Sequence, residues 1–338
     1  MSRNRFSRVA AAVAFAMSVA AAPAPAQAGN GKDQLKALPK DAAGVLVVNF
    51  EQLARSPLFQ ELYKVVTANP QVQARMAELT KTLGMDPLAA LKTAVVGLPK
   101  NLGEAGVVIL TLGVDAKKLE GLATQAGISA KPAIQGASVL QSQEGETLAI
   151  LGKQVFIGQD AQVKAALGAL KGKGGSLEKN DQVMKLVNAA HSGDDLWFAA
   201  NVSGQKGDLA HVRSLRGGVD FEKGFRLRTV VTLDSPAEAL RLVSQTNAKL
   251  EDLKAQPQAK MLALDAVAGK LTLTAKGSEV TVDLPLDEAD VNRLKTAVSM
   301  MMMMMAGAAG GAPGGLPGGP GGPGGMPLQM PAPPAQPR

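Results

Sequence analysis

The chain has no cysteine and, among its 338 residues, only two histidines, one tryptophan and one tyrosine. Each shortage removes a class of chemistry. Without cysteine there are no disulfides and no lipid attached through an N-terminal thiol, so the apolar core must hold the fold together unaided. His191 and His211 lie 20 residues apart in different expected elements, whereas zinc sites draw on several His or Cys at short spacing. Both read as structural histidines. No Gly-x-Ser-x-Gly elbow is present to present a nucleophile to either. Aromatic residues are 3% of the chain, too few for the stacking platforms that single-stranded nucleic acid requires. No nucleic-acid partner, catalytic residue, cofactor or metal ligand is therefore assigned.

Both ends of the chain stand apart in composition. Residues 1–28 carry Arg3, Arg5 and Arg8, then the apolar run Val9 to Ala22, then small residues closing on Ala26-Gln27-Ala28. That is the three-part pattern of a secretory signal peptide, with cleavage expected after Ala28 and a periplasmic or secreted product. The run is too short and Ala-rich for a spanning helix, so no transmembrane segment is expected after cleavage. Loss of the three leader arginines lowers the formal charge from +7 to +4. Residues 306–338 are almost entirely Gly, Pro and Ala with scattered Met. They lack the apolar bulk to offset the entropy of ordering, and disorder is expected there.

Between the ends, DAAGVLVVNF at 41–50 reads as an apolar strand with an acidic entry and an Asn at its exit. DDLWFAANV at 194–202 repeats it. Later landmarks recur in the same order: Asp115 and Asp234 each precede a helix, and so do Asp160 and Asp287. The spacings are 152 for Asn49 and Asn201, 119 for the second pair and 127 for the third. The 33-residue drop implies that the helices around Ser56 to Ala90, started by Ser56-Pro57, Asn69-Pro70 and Asp86-Pro87, are largely missing from the second copy. The expected fold is α+β, with two related halves at residues 29–190 and 191–305. Mainly antiparallel strands would pack against helices. Trp197 is the expected core anchor of the second half. Ser235-Pro236 with Glu238 predicts a capping box, and the alternating residues on either side of Lys276-Gly277-Ser278 predict a hairpin.

Several groups invite a functional reading. Lys171 to Ser176, KGKGGS, lacks the spacing of a phosphate loop and follows a helix, so it is taken as a flexible joint. Asp194-Asp195 is taken as a turn before a strand, since a calcium loop needs ligands at alternating positions. Met300 to Met305, with Met326 and Met330, could offer thioethers to copper(I). Six consecutive methionines on a helix point in all directions, however, and hydrophobic contact fits them better. The window 206–228 has three more basic than acidic residues. Within it, Arg213, Arg216, Arg226 and Arg228 form a candidate anion-binding face, because Arg226 and Arg228 are two apart on a strand. The competing view is a solvated strand face.

The phrase Leu38-Pro39-Lys40-Asp41-Ala42-Ala43-Gly44-Val45, with Asn49-Phe50 and then Leu83-Gly84-Met85-Asp86-Pro87, resembles exported bacterial proteins of unknown function. The resemblance spans residues 38 to 298. It implies an envelope location and an α+β fold, and no catalytic residues transfer with it. The reading is of a non-catalytic exported cell-envelope protein that binds or scaffolds, with an anionic envelope component or a protein as partner. The alternative is an envelope hydrolase whose carboxylates meet only in the folded chain.

Overall fold

Strand β1, Gly44–Asn49, is apolar over four consecutive positions, three of them valine, and is buried on both faces. Such a continuous run suits a strand at the centre of a sheet covered on both sides. In a computed structural model, β1 does lie at the centre. The structure describes residues 31–296, apart from 68–69, 102–103, 105, 126–127, 143–144, 258 and 260–263. The expected signal peptide, Met300 to Met305 and the 306–338 tail lie outside the described residues.

Among the described residues, twelve strands form one antiparallel sheet. They are β1, β2 (Leu91–Leu98), β3 (Val107–Leu112), β4 (Ser129–Ile134), β5 (Ala137–Gln141), β6 (Glu146–Leu151), β7 (Gln154–Gln159), β8 (Leu196–Asn201), β9 (Val212–Asp220), β10 (Phe225–Leu233), β11 (Thr272–Lys276) and β12 (Glu279–Leu286). Their spatial order is β11-β12-β10-β9-β8-β1-β2-β3-β7-β6-β5-β4. From the β1/β8 seam outward the two halves match: β1, β2, β3, β7, β6 on one side correspond to β8, β9, β10, β12, β11 on the other.

The register makes the correspondence quantitative. Leu46 faces Phe198 across the seam, and one row of paired residues runs outward from them. It passes through Val96, Val108, Ile157 and Leu148 in one half. In the other half it passes through Gly217, Thr229, Val282 and Leu273. Counterparts are 152, 121, 121, 125 and 125 residues apart, tracking the 152, 119 and 127 of the sequence landmarks. The α+β fold with two related halves is thus the observed one, and both halves share a single sheet.

The helices of eight or more residues that have named bounds are α1 (Pro57–Thr67), α2 (Pro70–Leu83), α3 (Lys118–Gln125), α4 (Asp160–Leu170), α5 (Asp181–Ala189) and α6 (Pro236–Ala255). One face of the sheet, with Val45, Val47, Val95, Ile109, Phe156, Trp197 and Ala199, is covered by α4, α5 and the 3₁₀ turn Lys32–Ala37. Trp197 is fully buried there, as expected. The other face packs Phe59 and Tyr63 of α1 on the first half, and Ala239, Leu242 and Val243 of α6 on the second. Helix α5 belongs by sequence to the first half yet packs on β8 and β9.

Local chemistry sets the ends of these elements, with some departures from expectation. Asn49 ends β1 and caps the turn Phe50–Leu53, its side chain accepting the Gln52 N–H. Asp287 and Asp290 cap the helix over residues 288–296 reciprocally, each carboxylate accepting the other's backbone N–H at 3.1 and 2.9 Å. Asp160, expected in the same capping role, is instead the first helical residue of α4. Gln159 occupies the cap, and Asp160 pairs with Lys164 one turn on. At α6 the Ser235 hydroxyl accepts the Glu238 N–H, but the Glu238 carboxylate turns forward to Arg241. Strand β4 has no expected counterpart, because Pro132 breaks its pattern. It is an edge strand, where a missing N–H costs nothing.

Candidate functional site

The four arginines of the candidate face do not form one site. Across β9, β10 and β12 the pairing places Arg216, Arg226 and Arg228 on the same side as Gly218, Glu279 and Asp283. Arg213 is the extra residue of a β-bulge, where Val212 pairs with Leu233 and Ser214 with Thr232. It reaches Asp234 at 3.0 Å instead, in company with His211 at 3.5 Å. Each arginine is matched by a carboxylate: Arg213 by Asp234, Arg216 by Glu279 at 3.1 Å, Arg226 by Asp283 at 3.0 Å and Arg228 by Asp194 at 2.5 Å. The window's apparent excess of positive charge is thus offset by acids from outside it, on β12 and at Asp234, and by Asp194. Hydrogen bonding to Arg213 lowers the Asp234 pKa, and hydrogen bonding to Asp283 raises that of Arg226.

Asp194 and Asp195 do open β8 from a turn, with the Asp194 N–H bonded to His191 O. They are also buried, each 5% exposed. Asp194 lies over Gly218, and its Oδ2 has no hydrogen-bond partner. A side chain at 218 would collide with that carboxylate. Burial raises the Asp194 pKa, with Arg228 opposing. Asp195 Oδ2 accepts the Phe221 N–H at 2.7 Å, while Asn49 N–H bonds to its backbone oxygen at 2.7 Å. Burial is the main cause pushing its pKa up to about 6, and the carboxylates of Asp220, Asp194 and Glu222 add to it. Sequence reasoning missed this pair because the residue that pairs with Asp194 is 34 positions away on β10.

A cavity of about 380 Å³ lies at the β9–β10 turn against Arg226, with Asp220, Glu222 and Lys223 also in its lining, and the largest concavity lies elsewhere. A groove of about 830 Å³ runs beside α4 and is lined by Lys40, Asp41, Lys100, Lys164, Lys173 and Gly175, among others. A lobe of about 400 Å³ continues from it, sharing Pro39, Asp41, Lys100 and Ala165 and adding Leu98, Val107 and Glu104. The KGKGGS segment, expected as a flexible joint, builds one wall. It ends α4 in a Schellman motif: Lys173 N–H bonds to Gly168 O at 2.7 Å and Gly172 N–H to Ala169 O at 2.9 Å, with Gly172 at φ 75°. The chain then returns to Leu38, whose carbonyl accepts the Leu177 N–H. Gly175 packs on the stem of Lys40, and Asn180 holds Lys40 O at 2.9 Å.

All four groove lysines are exposed. Lys164 pairs with Asp160 at 2.7 Å, but among the described residues no carboxylate lies within ion-pair range of Lys40, Lys100 or Lys173. This is the reverse of the arginine strands, where every cation is matched. A smaller pocket of about 220 Å³ lies between Pro57, Leu58 and Glu61 of α1, Phe221, and Val291 and Lys295 of the last described helix, with Lys295 paired to Glu61. Among the described residues no cluster of three His, Asp or Glu is placed to hold a metal ion. Among them also, no helix is long and apolar enough to cross a membrane.

No protein-family model matches the chain, and no curated protein matches it. Among solved structures, crystal form I of TP0453 aligns with 80% of this chain and 97% of its own, at 9% identity and a TM-score of 0.44. A likeness that distant carries no argument about function.

Proposed function

We propose that the protein is a non-catalytic exported protein of the cell envelope that acts by binding. Export rests on the leader pattern of residues 1–28, with cleavage after Ala28 giving a periplasmic or secreted product. Binding rests on one observation above all: the open groove beside α4 presents Lys40, Lys100 and Lys173, which have no ion-pair partner among the described residues. Unmatched cations facing an open concavity favour an anionic partner by long-range attraction. The ion-paired Arg216, Arg226 and Arg228 offer such a partner less, because each would first have to leave a carboxylate.

The hydrolase alternative draws on Asp194 and Asp195, two adjacent carboxyl groups with raised pKa, a common mark of catalytic sites. Their positions favour a structural role. Asp194 is tied to Arg228 and Asp195 to the β9–β10 turn, and neither lines the groove, its lobe or the pocket beside Phe221. The test is purification from the exported fraction followed by native mass spectrometry. A retained ligand or partner is the expected result. A chain that is recovered without one and cleaves envelope polymers, with that activity lost in Asp195→Asn, would replace the binding reading.

A further inference from the structure

Resting on the binding reading, we infer that the groove beside α4 takes a linear phosphate-bearing anion with several charges, a short polyphosphate or phosphodiester chain. Three features carry this. First, the lining cations are all lysines, and no arginine lines either the groove or its lobe. Lysine is a point charge with three donors and a common phosphate binder, able to serve a phosphate from any direction.

Second, the lysines are spread out. Lys164 stands in the second turn of α4, while Lys173 stands just past its end. Helix α4 ends at Leu170 and the Lys173 N–H returns to Gly168 O, so along the axis Lys173 stands about four residues, roughly 6 Å, from Lys164. Lys40 and Lys100 come from the entry to β1 and the exit from β2. Lysines carried on separate elements around one open groove suit an anion with several charges. Third, Gly174 and Gly175, at φ 81° and 80°, line the same wall. Successive glycines in this conformation leave the peptide edge unobstructed, so that an oxygen can approach the backbone closely. Asp41 and Glu104 set the opposing charge, and the lysines outnumber them.

The experiment is isothermal titration calorimetry of the full chain with tripolyphosphate, with orthophosphate, and with vesicles containing an anionic phospholipid. Titrations are run at low salt and at about 0.15 M, where screening of exposed charges is substantial. Tripolyphosphate is expected to bind at least tenfold more tightly than orthophosphate and to weaken with salt. Lys40→Gln/Lys173→Gln is expected to lose at least tenfold in affinity, while Arg226→Gln changes it less than twofold. All four lysines are exposed, so circular dichroism should show these variants folded.

Orthophosphate binding as tightly as tripolyphosphate would overturn the inference. So would an unchanged affinity in the double variant, or binding to vesicles without binding to tripolyphosphate. If no phosphate compound binds while native mass spectrometry still finds another retained ligand, the phosphate assignment fails and the binding reading stands.

Discussion

Asp195→Asn tests the electrostatics of the β8 entry most directly. Asp195 is 5% exposed, and its side chain accepts the Phe221 N–H. Arg228, the nearby cation, is bonded to Asp194 instead. The Asp195 pKa rises from 3.8 in the unfolded chain to about 6 in the fold. Between those values the folded state binds more protons than the unfolded one, so stability falls as pH rises. Two pKa units correspond to roughly 3 kcal/mol, fully present below pH 3.8, mostly present at pH 4 and gone by pH 7. The amide oxygen of Asn can still accept the Phe221 N–H without a buried charge. The variant is therefore expected to match wild type near pH 4 and to exceed it by up to about 3 kcal/mol at pH 7.5. Urea unfolding followed by the emission of the single buried tryptophan, Trp197, measures this from pH 4 to 8. Below that range the lowered carboxyl groups of Asp287 (about 2), Asp234 and Glu61 add losses of the opposite sign. Parallel pH slopes for wild type and variant would refute the reasoning, as would a variant less stable than wild type at pH 7.5.

Other substitutions probe the frame. Trp197→Ala removes the largest fully buried side chain and should cost about 3–5 kcal/mol in urea unfolding followed by circular dichroism. At the seam, a Cβ on Gly44 would stand 2.6 Å from Ala200 Cα, so Gly44→Val should separate β1 from β8. Fast amide exchange along both strands would show it, and retained protection would count against the central pairing. Ser235→Ala removes the acceptor for the Glu238 N–H and should lower stability by about 1 kcal/mol, read as a shift in the urea midpoint at constant slope.

Much of the frame was legible because its signals are local. The strand within 41–50, the hairpin at Gly277 and the start of α6 all follow from residues within one turn or one strand of each other. The repeat was legible as well, since its spacings survive in the sheet register. Misreadings arose where the local signal was ambiguous. Pro132 hid β4, Asp160 looked like a cap beside the less obvious Gln159, and a run of glycines and lysines that reads as a linker instead closes a helix.

By itself, then, the sequence determined the α+β class, the order of elements and the two related halves, because hydrophobic period and capping act over a few residues. Tertiary structure alone decided which charges are free. Asp194 meets Arg228 across 34 residues and Arg216 meets Glu279 across 63, so the arginines that looked available are matched. Lys40, Lys100 and Lys173, far apart in sequence, are gathered along one groove by a helix end and two strand ends. Charge pairing is set by distance in space, and distance along the chain carries almost no information about it.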